Sequence, residues 1–357
     1  VMEGAGKVEI AAVVGNPPYP RNTCDDSGRE QRYPIYNLFI DFSSFVTDLS
    51  ILITPARFLS DVGKTSHKWN TSKLNDAHFS IIRYYSNSAD IFPDVDIKGG
   101  VVITRYDKNE TYKPIGTFVP FPELKNTLDR VTKRCSDSFR NIAYASESYK
   151  FTDKMHDEHP EIESMLSCGH KYDLKSNVIS KLTGIVFFID EPNDSHEYVK
   201  IIGRDSGTRA WRYIRRDYLR TPDNFGNYKV LVPAANGSGA IGEVLSTPLI
   251  GHPLIGHPLI GHTQTFMSFG NFKAEDEAQA CMKYIKTKFT RAMLGIMKVT
   301  QTNPISTWRY VPLQDFSDSS DIDWSQSIEN IDEQLFDKYG LDKEEREFIK
   351  THVTAME

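Results

Sequence analysis

The sequence has few cysteines, no long apolar run and no overall excess of positive charge, and each shortage disfavours a class of protein. Its four cysteines lie far apart among 357 residues and form no Cys-x-x-Cys pair. That spacing argues against a zinc ribbon or a dense disulfide framework, so a reducing, cytoplasmic location is expected. The apolar stretches are short and interrupted, below the roughly 18 residues of a membrane span. The first six residues lack the basic start and apolar core of a secretory signal.

The charge is unevenly distributed along the chain. The formal net charge is -6, and residues 318–357 hold twelve acidic against four basic residues, a local net of -8. The remaining residues therefore carry +2, and residues 204–220 contain six arginines and two aspartates. A basic stripe on a near-neutral body, followed by an acidic tail, is compatible with DNA binding.

The apolar spacing predicts an α/β protein with a mixed sheet. Val8–Val14 is a short apolar run typical of a buried strand, and residues 33–49 have the spacing of a helix. Short strands are predicted at 51–54, 81–85 and 100–106. Prolines at 114, 120 and 122 indicate a boundary, so we predict an α/β region at 1–115, an α+β region at 116–310 and an acidic tail at 311–357. Two short helices, 328–339 and 343–352, are expected in the tail, and one long amphipathic helix with a core-packing stripe at 275–299.

A tandem repeat stands out in the second region. Pro-Leu-Ile-Gly-His occurs three times, at 248–252, 253–257 and 258–262. A period of five is too short for a solenoid unit, so the favoured interpretation is a duplication in a tolerant surface loop. The alternative is a metal site formed by His252, His257 and His262, because histidine binds zinc or nickel. Frequent Gly and Pro give the three imidazoles no common face, so no metal site is predicted.

A motif that indicates a catalytic function lies immediately after the first predicted strand. Asn16-Pro17-Pro18-Tyr19 resembles the catalytic motif of the amino-methylating DNA methyltransferases, in particular those that act on adenine N6. The resemblance implies that the Asn16 amide oxygen and the Pro17 carbonyl accept hydrogen bonds from the exocyclic amine, in a geometry that Pro18 fixes. It also implies that Tyr19 stacks on the base after it is flipped from the duplex. A simple strand-ending Asn-Pro turn is the alternative for these four residues.

Further segments resemble the same proteins in the same order. The chain resembles bacterial restriction-modification adenine-N6 methyltransferases of the Eco57I-like family at six more places: 33–40, 51–58, 90–101, 228–239, 310–316 and 321–324. The resemblance therefore covers most of the chain. It implies the C-terminal half of a Rossmann-like methyltransferase sheet in 1–115, followed by an α+β target-recognition domain in 116–310.

The chain departs from this family in its cofactor site. The family binds S-adenosyl-L-methionine (AdoMet) through a glycine loop upstream of the Asn-Pro-Pro-Tyr motif, but only fifteen residues precede Asn16 here. The nearest later candidate, 236–239, reads better as a loop of the second region. We therefore expect the cofactor-binding residues in a missing N-terminal half or partner chain, and AdoMet as the cofactor of the complete enzyme. The Val8–Val14 strand should then present an open, apolar edge prone to self-association.

The basic stripe provides the candidate DNA contacts, because arginine pairs with phosphates and reads guanine edges. The expected DNA-binding residues are Arg204, Arg209, Trp211, Arg212, Arg215, Arg216 and Arg220. The alternative is a solvated segment whose arginines pair with the many local acids.

The leading hypothesis is that the chain is the C-terminal part of a site-specific adenine-N6 DNA methyltransferase from a restriction-modification system, inactive as this fragment alone. It would act on double-stranded DNA and not at a membrane. One alternative is a DNA-specificity module that another chain completes, and a second is a methyltransferase for a protein glutamine amide, which presents a similar planar group. The long second region with its basic aromatic segment favours DNA.

Overall fold

A computed structural model describes residues 9–24, 30–61, 64–95, 97, 99–235, 253–298 and 301–356. The chain forms two compact units, Val1–Pro122 and Glu123–Glu357, of mixed α/β composition. Residues 311–356 lie within the second unit. None of the helices in the described ranges is long and apolar enough to cross a membrane.

The first unit contains a four-stranded mixed sheet and a separate hairpin. Its elements are β1 (Val13–Gly15), β2 (Pro20–Cys24), β3 (Glu30–Pro34), α1 (Tyr36–Val46), β4 (Leu49–Pro55), α2 (His67–Leu74), β5 (Phe79–Tyr85) and β6 (Val101–Asp107). The sheet order is β1-β4-β6-β5, and β2 pairs with β3 in the hairpin. β1 runs parallel to β4, with Val14 opposite Ile51, whereas β6 is antiparallel to both β4 and β5.

The predicted elements of this unit are present with shifted ends. The first strand starts only at Val13, and the helix starts at Tyr36 because Tyr33 and Pro34 belong to β3. The predicted hairpin of 81–85 with 100–106 is confirmed by β5 and β6. Gly100 enters β6 at a φ of +79°, and a Cβ there would lie 2.2 Å from the Tyr85 carbonyl oxygen, so the turn requires glycine.

One face of the sheet carries the core of the first unit. Tyr36 and Ile40 of α1 pack over Leu52 of β4, together with Phe58 and Phe79. Phe58 is fully buried and contacts the rings of Tyr36, Trp69 and Phe79. Aromatic side chains are large, so each of these residues buries much apolar area when the unit folds.

The second unit is larger and contains three small sheets surrounded by helices. Its elements are α3 (Pro122–Arg134), β7 (Ala143–Tyr144), β8 (Lys150–Phe151), α4 (Asp153–Glu158), α5 (Val178–Leu182), β9 (Tyr198–Asp205), β10 (Thr208–Arg215), β11 (Leu219–Arg220), β12 (Tyr228–Pro233), β13 (Leu254–Gly256), β14 (Ile260–His262), β15 (Phe266–Phe272), α6 (Glu275–Lys286), α7 (Lys288–Gly295), α8 (Ile328–Tyr339) and α9 (Lys343–His352). The sheet orders are β10-β9-β14, β13-β12-β15-β7 and β11-β8.

The long helix predicted at 275–299 is two helices in the structure. α6 ends at Lys286, and the Thr287 side chain accepts a hydrogen bond from the Thr290 N–H and caps α7. Threonine competes for backbone donors in this way, so the interruption has a local cause that the apolar period does not reveal. The predicted core stripe is nevertheless buried, as Cys281, Ile285 and Phe289 show.

The acidic tail helices have the predicted bounds and pack within the second unit. The Tyr339 ring of α8 stacks on Phe289 of α7, with ring centres 5.1 Å apart. Arg130 of α3 pairs with Asp342 at 2.9 Å and with Glu345 at 2.9 Å. Asp342 and Glu345 therefore attach α9 to α3.

The repeat is also more structured than predicted. Its second and third copies form β13 and β14, which belong to different sheets, so the surface-loop interpretation is wrong for these two copies. The repeated glycines allow close strand packing: a Cβ on Gly261 would lie 2.6 Å from Ile201 Cδ1, and one on Gly256 2.9 Å from Lys229 Cγ. The first copy lies outside the described residues.

Candidate active site and nucleic-acid interface

Three connections meet at one edge of the first unit's sheet. Because β1 and β4 are parallel, the loop after Gly15 and the 3-10 turn Ala56–Ser60 leave the sheet on the same side. The β5–β6 connection is on that side as well, since Val101 lies opposite Pro55. The Ala56 N–H donates to the Gly100 carbonyl at 3.0 Å and ties two of the connections together. The carboxyl ends of parallel strands are where open α/β sheets place their ligands.

The Asn16–Tyr19 loop is anchored at both of its ends. β1 holds the Asn16 side, while the Ile35 N–H donates to the Tyr19 carbonyl at 3.0 Å and Pro20 lies opposite Pro34 in the hairpin. Two consecutive prolines restrict the backbone between these anchors. Asn16 and Pro18 are exposed, and Pro17 is half-buried. The loop thus presents an amide side chain and a carbonyl on a backbone with little freedom.

Tyr19 is half-buried, and its hydroxyl group is enclosed. The hydroxyl has no hydrogen-bond partner within the described ranges, and burial raises the pKa of Tyr19 to about 12. The phenol is therefore neutral at physiological pH. A neutral aromatic ring at this position is suited to stacking against a planar group.

The described residues provide no fitting site for AdoMet. β1 leads into the Asn16–Tyr19 loop and then a hairpin, so its end lacks the glycine loop and following helix that hold a nucleotide cofactor. The alternative glycine segment, 236–239, lies outside the described residues.

Exposed apolar side chains lie on β1 and α1, the elements before and after the Asn16–Tyr19 loop. β1 is at the end of the sheet order, and within the described part of the chain its outer edge has no strand partner. Val14 of β1 is 74% exposed, and the α1 side chains Leu38, Phe42 and Phe45 are 59%, 62% and 87% exposed. We call these four residues the apolar surface of the first unit.

The contacts of α1 indicate the side on which this surface lies. Asp41 of α1 accepts a hydrogen bond from Trp69 Nε1 at 2.8 Å and pairs with Lys73 at 3.0 Å, so α2 covers the polar side of α1. Leu38 and Phe45 lie three residues before and four residues after Asp41, so the exposed apolar side chains of α1 border the side of the helix that α2 contacts.

Most of the predicted DNA-binding arginines have protein partners. Arg212 pairs with Asp205, and Arg220 with Asp153 at 2.7 Å. Arg216 donates to the Leu219 carbonyl at 3.1 Å. The structure therefore directs these three side chains into contacts within the second unit, as the alternative interpretation of the basic segment expects.

Arg215 lies at the centre of a compact ionic cluster. It is 9% exposed and donates to Asp217 at 2.7 Å, to Glu158 at 2.6 Å and to the Tyr218 hydroxyl at 2.8 Å. Burial opposes ionisation of Asp217, but hydrogen bonds from Arg215 and Lys154 lower its pKa to about 2. Sequence reasoning missed Glu158, since its distance along the chain from the arginines gives no signal of this contact.

The remaining residues of the stripe lie on the β9–β10 hairpin. Arg204 and Arg209 are opposite each other in the antiparallel register, and both are exposed. Trp211, two residues further along β10, is 41% exposed. These three are the members of the predicted set for which a role at a nucleic-acid interface fits the geometry best.

The two described histidines of the repeat, His257 and His262, have different surroundings. His262 is fully buried and pairs through Nδ1 with the Thr263 carbonyl at 3.0 Å, while the His257 ring lies against Tyr228. Burial lowers the pKa of His262 to about 4. Across the residues that the structure describes, no cluster of His, Cys, Asp or Glu could hold a metal ion. His252 lies outside those residues.

Comparison with known proteins identifies a family for part of the chain. The sequence model of the Eco57I restriction-modification methylases matches residues 5–92. No curated protein is significantly similar to the chain. Among solved structures, the type IIG restriction endonuclease BpuSI aligns over 96% of this chain at 8% identity and a TM-score of 0.31, and the chain spans 54% of its length.

The family match includes the candidate catalytic loop. Residues 5–92 contain Asn16–Tyr19 together with the strands and helices from β1 to β5. The resemblance predicted from the sequence is thereby confirmed for this part of the chain. Residues 5–92 are the segment of this protein that is similar to the Eco57I restriction-modification methylases.

Proposed function

We propose that the chain is the C-terminal part of an AdoMet-dependent DNA methyltransferase that methylates adenine N6 within a specific sequence, as part of a restriction-modification system. The observation that carries the proposal is the Asn16–Tyr19 loop at the carboxyl end of β1, inside the segment that is similar to these methylases. The first unit would be the C-terminal half of a Rossmann-like sheet, and the second a target-recognition domain.

The loop acts on the amine that receives the methyl group. The lone pair of the adenine amine is delocalised into the ring, so the amine is a poor nucleophile. The Asn16 amide oxygen and the Pro17 carbonyl accept its two N–H groups and favour a pyramidal nitrogen, while Pro17 and Pro18 keep these acceptors in position. Tyr19 supports the flipped base by stacking. Methyl transfer is direct, without a covalent intermediate on this chain.

The methyl donor requires residues other than those described. AdoMet supplies the methyl group in the complete enzyme, and we propose that an N-terminal methyltransferase half, or a partner chain, binds it. Two features of the first unit support this proposal: the outer edge of β1 has no strand partner in the described ranges, and Val14, Phe42 and Phe45 are exposed. Open strand edges and exposed apolar side chains are typical of interaction sites. Self-association through the same edge is the expected behaviour of the chain alone.

Double-stranded DNA is the proposed substrate, and the β9–β10 hairpin is the proposed contact. Arg204 and Arg209 provide positive charge, and Trp211 provides an exposed aromatic ring. A module that only recognises DNA and a methyltransferase for a protein glutamine amide remain the competing functions. The first lacks methyl transfer, and the second lacks dependence on DNA.

The proposal is tested by replacing Asn16 in the full-length protein. Asn16→Ala should abolish methyl incorporation into duplex DNA while duplex affinity changes little, because the amide acts on the flipped base and not on the phosphates. Asn109→Ala, an exposed asparagine on the connection after β6, is the matched control and should leave methylation unchanged. Methylation at the wild-type level in Asn16→Ala would refute the catalytic assignment, and methylation of protein without DNA would favour the glutamine alternative.

A further inference from the structure

The second unit contains a cavity of about 960 Å³ that the proposed catalytic chemistry does not use. It lies between the tip of the β9–β10 hairpin, the end of β12, the start of β15 and residues 302–306. Its volume is at the upper end of the roughly 300–1,000 Å³ typical of small-ligand sites.

Two arginines form the charged side of the cavity. Arg204 and Arg209 both line it and lie directly opposite each other on β9 and β10, so their side chains share one face of the sheet. Like charges in directly opposed positions destabilise a strand pair. Arg204 donates two N–H groups to the Gly207 carbonyl, at 3.1 and 2.6 Å, and its guanidinium has three more. An anion between the two side chains would offset their repulsion.

An apolar wall lies next to this arginine pair. The Arg209 guanidinium lies over the Phe266 ring, 5.2 Å from its centre, and Met267, Pro233 and Pro304 continue an apolar wall. A guanidinium stacked on an aromatic ring presents a flat surface on which a planar group can stack in turn. Among the described lining residues the acidic one is Glu147, which accepts a hydrogen bond from Ser146 at 2.8 Å.

A buried amide group completes the lining. Asn303 is 2% exposed, and its Oδ1 accepts a hydrogen bond from the Thr307 hydroxyl at 3.2 Å. Its Nδ2 has no partner within the described ranges. A buried polar group without a partner costs free energy, so a ligand that offered Asn303 an acceptor would bind with an added gain.

We propose that this cavity binds a single unstacked nucleotide of the DNA, with the phosphate between Arg204 and Arg209, the base against the wall that includes Phe266, and a base acceptor towards Asn303. The inference rests on the proposed function, since it makes the second unit a DNA-recognition unit. It assigns that unit a nucleotide pocket of its own, separate from the Asn16–Tyr19 loop. A sulfonium cofactor is disfavoured, because its positive charge would face the arginine pair.

The proposal is tested by calorimetric titration of the whole chain with deoxynucleoside monophosphates. We expect the monophosphates to bind more tightly than the matching nucleosides or inorganic phosphate, because only they engage both sides of the cavity. The double substitution Arg204→Gln and Arg209→Gln should weaken this binding about tenfold or more, as expected for lost charge-assisted hydrogen bonds. The variant should remain folded, as checked by its far-UV circular dichroism, so that the lost binding reports on the site itself.

Two further variants make the result specific to the cavity. Ala235→Trp introduces bulk at an exposed position of the lining without altering charge, and it should also abolish nucleotide binding. Lys125→Gln with Lys171→Gln removes the same charge from exposed sites elsewhere in the unit and should have no effect. Nucleotide binding that survives both cavity variants, or AdoMet binding that these variants abolish, would overturn the proposal.

A competition experiment identifies the source of the nucleotide. Duplex DNA with one unpaired nucleotide should displace the monophosphate, because extrusion of an unpaired base costs least. Monophosphate binding that DNA does not affect would show a site for free nucleotides and contradict the DNA assignment. The Asn16 experiment measures methyl transfer independently, so failure of the cavity and failure of the catalytic loop give different results.

Discussion

The two units of this protein differ in how fully they pair their charged side chains and bury their apolar side chains. The second unit neutralises most of its basic stripe internally and fully encloses a lysine, Lys229, whose Nζ donates to the Asn224 carbonyl at 3.0 Å and the Asn227 carbonyl at 2.8 Å. The first unit instead exposes Phe42 and Phe45 of α1, and within the described ranges the outer edge of its β1 has no strand partner. The comparison shows that a regular apolar spacing in the sequence includes both buried core residues and exposed surface residues.

The largest effect is expected in the aromatic core of the second unit. Trp308 is fully buried, and its ring lies 4.5 Å from Phe269 and 5.6 Å from Phe139. Trp308→Ala should lower the free energy of unfolding by about 3–5 kcal/mol, through lost burial and the resulting cavity. Trp211→Ala, at an exposed tryptophan, is the control and should change it by about 0.5 kcal/mol or less. Equal effects in denaturant titration would contradict the assigned burial.

The buried histidine should make the second unit sensitive to acid. Its folded-state pKa of about 4 lies below the ordinary 6.5, so the fold favours neutral His262. This contribution is complete above pH 6.5 and is lost as the pH falls towards 4, a change of about 3 kcal/mol. Burial raises the pKa of Asp332 to about 6, which acts in the opposite direction as the pH falls.

The histidine contribution is therefore measured as a difference between two proteins. Unfolding free energies of the wild type and of His262→Gln should converge or cross between pH 6.5 and 4, since only the wild type takes up a proton at this position on unfolding. Parallel pH profiles would mean that His262 is not buried in its neutral form.

A smaller effect is expected at the ionic cluster. Arg215→Gln leaves Glu158 and Asp217 without their shared partner, and we expect a loss of about 1–3 kcal/mol because both carboxylates are partly exposed. Arg220→Gln breaks an exposed pair and should cost about 1 kcal/mol or less. If the Arg215→Gln protein is as stable as the wild type but binds duplex DNA more weakly, the result would show that Arg215 acts in DNA binding.

The smallest effect on stability is expected at the apolar surface. Phe42→Gln with Phe45→Gln should change the free energy of unfolding by about 0.5 kcal/mol or less, because both side chains are mostly exposed. The same variant should reduce self-association in analytical ultracentrifugation. A loss of several kcal/mol without a change in association would show that the first unit uses these residues for its own core.

The sequence was a good guide wherever a local signal determined the structure. The β5–β6 hairpin, the two tail helices and the position of the Asn16–Tyr19 loop after a strand all follow from apolar period and turn residues. The break at Thr287 was missed, because the apolar stripe continues on both sides of it. The repeat was misjudged because its glycines allow close strand packing, whereas glycine in sequence usually indicates a loop.

The candidate sites depend on contacts between residues distant in the sequence, which local sequence patterns do not predict. The partners of Arg215 and the cavity beside Arg204 join segments far apart in sequence, and no periodicity predicts such contacts. The arginines of residues 204–220 look equivalent in the sequence. In the structure, some of them form ion pairs within the second unit, whereas Arg204 and Arg209 form an exposed pair near the tip of the β9–β10 hairpin.

The central claim is that the first unit carries the methyl-acceptor side of the active site and an open surface for the part that binds AdoMet. Calorimetric titration of this chain with AdoMet tests it most directly. We predict no binding at micromolar concentrations by the chain alone, because β1 ends in a proline loop and a hairpin instead of a glycine loop and a helix. Micromolar AdoMet binding by this chain would contradict the claim and would place a complete cofactor site within these residues.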